Sequence, residues 1–211
     1  LTNAREYTII AVRREFMTKD FDFYAYLMRM KYIRRWALMR STSEENIMEH
    51  SWGVAIVAHA LALIKNEKFG GKVDEYKTLC LAIYHETSEV VTGDLPTPIK
   101  YFNREINSAY KNLERDANLR LIGKLPEELQ SRYAEFILSE ADSEEYKLMK
   151  YADRICAYIK CIEELKVGNK EFLKAKTSIG KEIESVEDEA VRYFYKNVIP
   201  TFSKTLDELE M

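Results

Sequence analysis

An all-α fold is what this sequence predicts, and three observations predict it. Gly and Pro are scarce, seven and four in 211 residues, whereas Ala, Leu, Glu, Lys and Met are common. Apolar residues recur at intervals of three and four, which gives a helix one buried stripe. No segment alternates as a half-buried strand would, and there is no internal repeat or low-complexity stretch. The length suits one domain with a full core, needing neither disulfides nor a structural metal.

Taken in order, residues 21–33 read as a helix from the spacing of Phe23, Tyr26, Leu27, Met30 and Ile33. Arg34, Arg35 and Trp36 follow, then a short turn through Leu38, Met39 and Arg40. Residues 41–46 form a polar linker that caps the next helix, residues 47–65. That helix is expected to bury Trp52, Ile56, Val57, Ala60, Leu61 and Ile64, and it carries His50 near its start. Phe69-Gly70-Gly71 is a turn, where glycine supplies positive φ without a steric penalty. Residues 73–91 are expected to run as one helix, apolar at first and then presenting His85, Glu86 and Glu89 within little more than one turn. Gly93 breaks it, and Asp94 opens a stiff Leu-Pro-Thr-Pro segment.

Residues 101–122 read as a long charged amphipathic helix ended by Gly123, and Pro126 begins another, to about Leu138, in the first-turn position proline tolerates. Residues 143–166 follow, with Leu148, Ala152, Ile155, Ala157, Ile159 and Ile162 at the apolar positions and Asp153 among them. Val167-Gly168-Asn169 closes this helix. Two acidic, aromatic helices, residues 171–186 and 189–208, are expected to cover the core.

A hydrophobic content of 46% and a charged content of 32% are those of a soluble globular protein, and a net charge of −3 lends no support to a nucleic-acid-binding surface. The three cysteines, Cys80, Cys156 and Cys161, are an odd number in apolar helical contexts, so they read as reduced core residues of a cytoplasmic protein. No apolar run reaches the roughly 18 residues that span a bilayer, and no membrane partner is expected. Residues 1–16 are read as an N-terminal extension that makes a poor signal peptide, and residues 17–211 as the domain. Two readings of the extension stay open: translated upstream sequence, with Met17 the natural start, or a genuine helical extension.

His50, His85, Glu86, Glu89 and Asp153 sit inside apolar helical patterns, with Asp94 just outside. Burying such groups is costly unless something compensates, and a bound cation does so. Two imidazoles and two carboxylates from three helices suit a divalent ion of intermediate hardness. Each residue also has a bland reading: His50 as a hydrogen-bonded core residue, Asp153 as the partner of Arg154 or Lys150. Their joint occurrence favours the ion.

These residues lie in runs that resemble a known family. Ile33-Arg-Arg-Trp36-Ala-Leu-Met-Arg40, Glu45-Asn-Ile-Met-Glu-His50-Ser, Tyr84-His-Glu-Thr-Ser-Glu89-Val-Val-Thr-Gly-Asp94-Leu-Pro-Thr-Pro-Ile-Lys-Tyr-Phe102 and Ala152-Asp153-Arg-Ile-Cys-Ala-Tyr-Ile-Lys-Cys161 resemble the HD-domain phosphohydrolases, and among them the YfbR-like 5'-deoxynucleotidases. The resemblance implies a single HD-domain helical bundle that hydrolyses 2'-deoxynucleoside 5'-monophosphates, as a homodimer, with no nucleic-acid polymer as partner. It implies that His50, His85, Glu86 and Asp153 hold a divalent transition metal (Co, Mn, Zn, Fe, Ni or Cu). Arg35 would grip the phosphate, Trp36 would pack beside the sugar and favour its 2'-deoxy form, and Lys100 would join them in binding substrate. Glu89 would be the general acid or base, and Asp94 would orient the water or protonate the leaving 5'-oxygen. One departure is that Glu86 stands where the family has Asp, which retains a ligand but alters its geometry or metal preference. Another is Ala37, where the family often has proline.

The chemistry supports the same reading. A phosphate monoester repels nucleophiles, so the site must supply positive charge and a nucleophile at neutral pH. Two alternatives stay open: another HD-type phosphohydrolase, acting on a cyclic nucleotide, (p)ppGpp or a dNTP, and a nucleotide-binding dimer whose catalysis Glu86 has impaired.

Overall fold

The computed structural model describes residues 20–139 and 142–209, so the readings offered for residues 1–16 and for Met17 lie outside the described residues. Within them all regular structure is helical, apart from one antiparallel bridge between Arg34 and Asn46. Helix α1 (Phe23–Leu27) passes directly into a 3-10 turn, Met28–Tyr32. The expected first helix is therefore split, and Ile33 is already extended where the chain enters the bridge.

Helix α2 (Ile47–Phe69) starts on a capping box. The Asn46 side chain accepts from the Met48 and Glu49 amides, and Glu49 reaches back to the Asn46 amide. It ends at Gly70, whose φ of 70° closes the helix. Helix α3 (Glu75–Tyr84) is capped by Asp74 and stops at His85. Two single-turn helices, α4 (Glu89–Thr92) and α5 (Thr97–Lys100), lead to α6 (Arg104–Ile122) and α7 (Glu127–Ile137). Pro126 is the residue before α7 and not its first turn. Helix α8 (Glu144–Lys166) is capped by the Ser143 hydroxyl, and α9 (Leu173–Glu184) and α10 (Glu189–Asn197) complete the set. The last helix is shorter than the sequence suggests, because Pro200 falls where it would continue and the chain turns as 3-10 over Ile199–Ser203.

The core forms where α2, α3 and α8 pack on one another, with α9 and α10 laid over them. Val54, Leu61, Leu81, Leu148, Ile155 and Phe172 are essentially inaccessible, and each such side chain contributes about 1.5–3 kcal/mol by leaving water. Ala58 and Ala62 on α2 and Ala152 on α8 are fully buried in the same cluster; small residues let backbones approach. That closeness matters for the site, because His50 lies on α2 and Asp153 on α8. A smaller cluster of Phe23, Leu27, Met30, Ile47, Leu121 and Leu125 joins the N-terminal turn to α6 and α7. All three cysteines are buried and free, as expected.

Three further expectations need correction. Trp52 and Ile56 are not buried: they are 69% and 54% exposed, on the outer stripe of α2. Helical spacing identifies a stripe but not what covers it. By length and composition α2 could cross a membrane, contrary to the reading that no apolar run is long enough, although half of its most apolar window is buried in this fold. Residues 73–91 are not one helix. Between α3 and α4 the backbone tightens, with Thr87 N bonded to Tyr84 O and Glu89 N to Glu86 O. The Ala82 and Tyr84 carbonyls accept from His85 Nδ1 and the Thr87 hydroxyl, both at 2.7 Å. Side chains competing for backbone carbonyls end the helix where no Gly or Pro does.

Candidate active site

Breaking the helix at His85 changes which way the acids point. One ligand atom from each of His50, His85, Glu86 and Asp153 lies within 4.8 Å of the other three. His50 comes from the second turn of α2, His85 and Glu86 from the tight segment after α3, and Asp153 from the middle of α8. Glu89, at the start of α4, is buried beside Glu86.

His85 is arranged as a ligand. Its Nδ1 lies 2.7 Å from a carbonyl, which can only accept, so Nδ1 carries the proton. Nε2 is then the free lone pair; it is buried with Glu86 Oε1 3.1 Å away, yet no aligned hydrogen bond satisfies it. An imidazole anchored through one nitrogen and unpaired at the other is how metal-binding histidines are held. Together with the nearby carboxylates, this orphaned nitrogen fits a divalent cation.

His50 is differently engaged. Arg35 Nη1, which can only donate, sits 2.7 Å from its Nδ1, and Nε2 lies 3.0 Å from Asp153 Oδ1. In this arrangement the proton is on Nε2, and giving Nε2 to an ion requires Arg35 to yield Nδ1. Burial, then the Arg35 charge, lowers the His50 pKa and keeps the ring neutral. Asp153 is ionised: burial opposes this, but Lys150, 3.1 Å from its second oxygen, and His50 hold its pKa well below the usual range. The bland reading of Asp153 was thus half right, with Lys150 as partner, while Arg154 turns away to Glu182.

The acids reveal a shortage of positive charge. Burial and then the neighbouring Glu86 push Glu89 up to about 11, so it keeps a proton at neutral pH. Glu86 is lowered: burial would raise it, but His85 stabilises its charge. The His85 pKa is raised in turn, because Glu86 outweighs the effect of burial.

Arg35 and Trp36 form the wall beside this cluster. Arg35 is surrounded by Glu45, Asp153, Glu86 and Asp94, which outweigh its burial and keep it charged. Trp36 has φ of 61°, the left-handed region that bulky residues rarely adopt. Its backbone lies near enough to Asp94 to favour the ionised carboxylate, its indole N–H donates to Glu45, and its ring meets Phe172 edge-on. Gly93, with φ of 71°, turns the chain so that Asp94 arrives here, and burial raises the Asp94 pKa despite Arg35. Lys100 is not brought into the cluster. Its ammonium is 2.8 Å from Glu114 and over the Tyr110 ring, though near enough to Asp94 to favour the ionised carboxylate.

The family model for YfbR-like 5'-deoxynucleotidases matches residues 22–202. The chain belongs to that family. A 5'-deoxynucleotidase of Vibrio cholerae serotype O1 is 53% identical over 192 residues, covering 90% of this chain and 99% of that protein. The 5'-deoxynucleotidase YfbR of Escherichia coli O1:K1 is 50% identical, covering 90% of this chain and 96% of its own length. Among solved structures, an HD-domain phosphohydrolase from Listeria innocua superposes with a TM-score of 0.75 at 23% identity, over 86% of this chain and 88% of that one. The cyanophage S-2L HD phosphohydrolase, bound to dA and one catalytic Zn2+ ion, superposes with a TM-score of 0.61 at 18% identity, over 84% and 96%. Those two likenesses show that this chain has the HD-domain fold.

Sequence reasoning missed Glu45 as a partner of site residues. Glu45 lies in a polar linker without periodicity; its one signal was membership of the Glu45-to-His50 run. Lys150 was named only as a competing partner for Asp153.

Proposed function

We propose that this chain is a metal-dependent 5'-deoxynucleotidase, cleaving 2'-deoxynucleoside 5'-monophosphates to deoxynucleoside and phosphate. The observation that carries the reading is the convergence of His50, His85, Glu86 and Asp153 beside a half-buried, charged Arg35. The substrate class is supported by the names of relatives about half identical over nearly their whole length.

His50, His85, Glu86 and Asp153 would hold the cation, of transition-metal type given the mixed N and O donors. Such an ion, when bound, neutralises phosphoryl charge and eases deprotonation of the attacking water. Arg35 offers its planar fork to the phosphate, and Trp36 supplies an apolar wall for the deoxyribose. Glu89, which keeps its proton at neutral pH, passes that proton toward the leaving 5'-oxygen as the P–O bond breaks, and Asp94 orients the water. Lys100, close to Asp94, adds positive charge at the phosphate end. The protein acts in the cytoplasm as a homodimer; the dimer is supported by the exposed Trp52 and Ile56 stripe and tested by light scattering.

Phosphate release from dAMP, AMP and dATP, each with Co, Mn and Zn added, tests the proposal. Selective release from dAMP is expected. Equal release from AMP, or release from dATP alone, would point to another HD-type activity, and none with any ion to a site impaired by Glu86.

A further inference from the structure

The loop of residues 33–47 leaves and re-enters the fold through a closed neck. Arg34 bridges Asn46, Arg35 N donates to Glu45 O at 2.9 Å, and Ile47 N to Ile33 O at 3.0 Å. Across this neck the Glu45 carboxylate reaches both side chains of the wall. A single oxygen, Oε2, accepts from Arg35 Nη1 at 2.8 Å and from Trp36 Nε1 at 2.9 Å. Arg35 and Glu45 are 14% and 17% exposed at their side chains, so water screens this pairing little.

Two consequences follow from these contacts. With Nη1 spent on Glu45 and on His50 Nδ1, the guanidinium keeps its other edge for a ligand. Without Glu45, the acids that also attract Arg35 (Asp153, Glu86 and Asp94) would draw the guanidinium into the cation's seat. The same oxygen holds the indole of a residue whose backbone is strained, at φ of 61°. An unsupported indole could leave that conformation, because strained residues persist only where the surroundings over-determine them.

We propose that Glu45 is a positioning residue that ties the phosphate grip to the sugar wall, setting both the affinity for the nucleotide and the preference for its 2'-deoxy form. This rests on the proposed deoxynucleotidase reading. Glu45 touches no reacting atom and acts through Arg35 and Trp36.

The test compares wild type, Glu45→Ala and Glu45→Gln with dAMP and AMP under saturating cation. For Glu45→Ala the expected result is a KM for dAMP raised about tenfold or more, a smaller change in kcat, and a dAMP:AMP preference reduced at least about fivefold. Glu45→Gln, which retains an acceptor for the indole, is expected to restore the preference but not the full affinity. A variant that only melts earlier, with KM and the dAMP:AMP ratio of the folded enzyme unchanged, overturns the proposal. A second readout does not depend on activity. The chain has two tryptophans, so in a Trp52→Phe background emission reports Trp36 alone. Glu45→Ala should shift that emission to the red, and an unshifted spectrum also overturns the proposal. Wild-type protein inactive on dAMP but with the emission shift present would count against the deoxynucleotidase reading and leave the Glu45 clamp standing.

Discussion

Helix α8 carries two buried polar clusters about three turns apart, and they are finished to different degrees. At its C-terminal end Glu164, 1% exposed, accepts from Lys160 Nζ at 2.6 Å, Asn169 Nδ2 at 2.7 Å, the Thr42 hydroxyl at 2.7 Å and the Thr42 and Ser43 amides. Burial would raise its pKa, but these donors, Lys160 first, hold it well below the ordinary carboxylate range. At mid-helix, around Asp153, His85 Nε2 has no hydrogen-bond partner and Glu89 keeps a proton it would lose in water. A buried polar group that serves architecture completes its own hydrogen bonds; lone pairs left convergent are meant for something else. The contrast, on one helix, separates the pin from the site.

Removing a group from each cluster should have opposite consequences. Glu89→Ala is expected to lower kcat by about 10²–10⁴ while metal content, measured by elemental analysis, stays at the wild-type value. Normal turnover in that variant would remove Glu89 from the proposed mechanism. Glu164→Ala leaves the Lys160 ammonium, 4% exposed, without its carboxylate, and should cost about 3–5 kcal/mol in a urea melt. A loss below about 1 kcal/mol would mean the pin is not structural.

A finer test asks whether the unfinished cluster holds protons in place of an ion. Glu86 raises the His85 pKa when no ion is bound, so a cation and a proton compete for this imidazole. Titration calorimetry in buffers of different ionisation enthalpy should report protons released on cation binding, with affinity falling as pH drops. An enthalpy independent of buffer would contradict this.

The smallest expected effect concerns stability. Between the unfolded carboxyl pKa of about 4.3 and the folded value of about 11, the folded chain binds more protons at Glu89 than the unfolded chain does. Stability therefore falls as pH rises through that window. Glu89→Gln should raise the melting temperature of ion-free protein by about 2 °C or more at pH 7, with the gap widening toward pH 9. A gap that narrows with pH would refute the assigned protonation.

Much of the frame could be read from the residues, for reasons the structure makes plain. The Asn46–Glu49 capping box, Gly70 and Ser143 mark helix ends because each satisfies backbone groups locally. His50, His85, Glu86 and Asp153 stood out as ionisable groups inside apolar periodicity, and the fold brings their ligand atoms together. What escaped was whatever depends on tertiary partners. Trp52 shares its helix's apolar character but is left exposed among the described residues. The end of α3 is set by two side chains bonding to carbonyls, which carries no breaker in the sequence. Glu45 and Glu164 act across long loops, where spacing says nothing about who meets whom.

The left-handed backbone at Trp36 has a practical consequence for anyone improving this protein. Glycine or asparagine would relax that backbone but give up the indole's contacts with Phe172 and Glu45, so relief of strain and loss of packing oppose each other there. Any gain in heat resistance at this position would come from a protein whose proposed sugar wall is missing. Stabilised libraries should therefore leave position 36 fixed and look for their gains on the far side of the bundle.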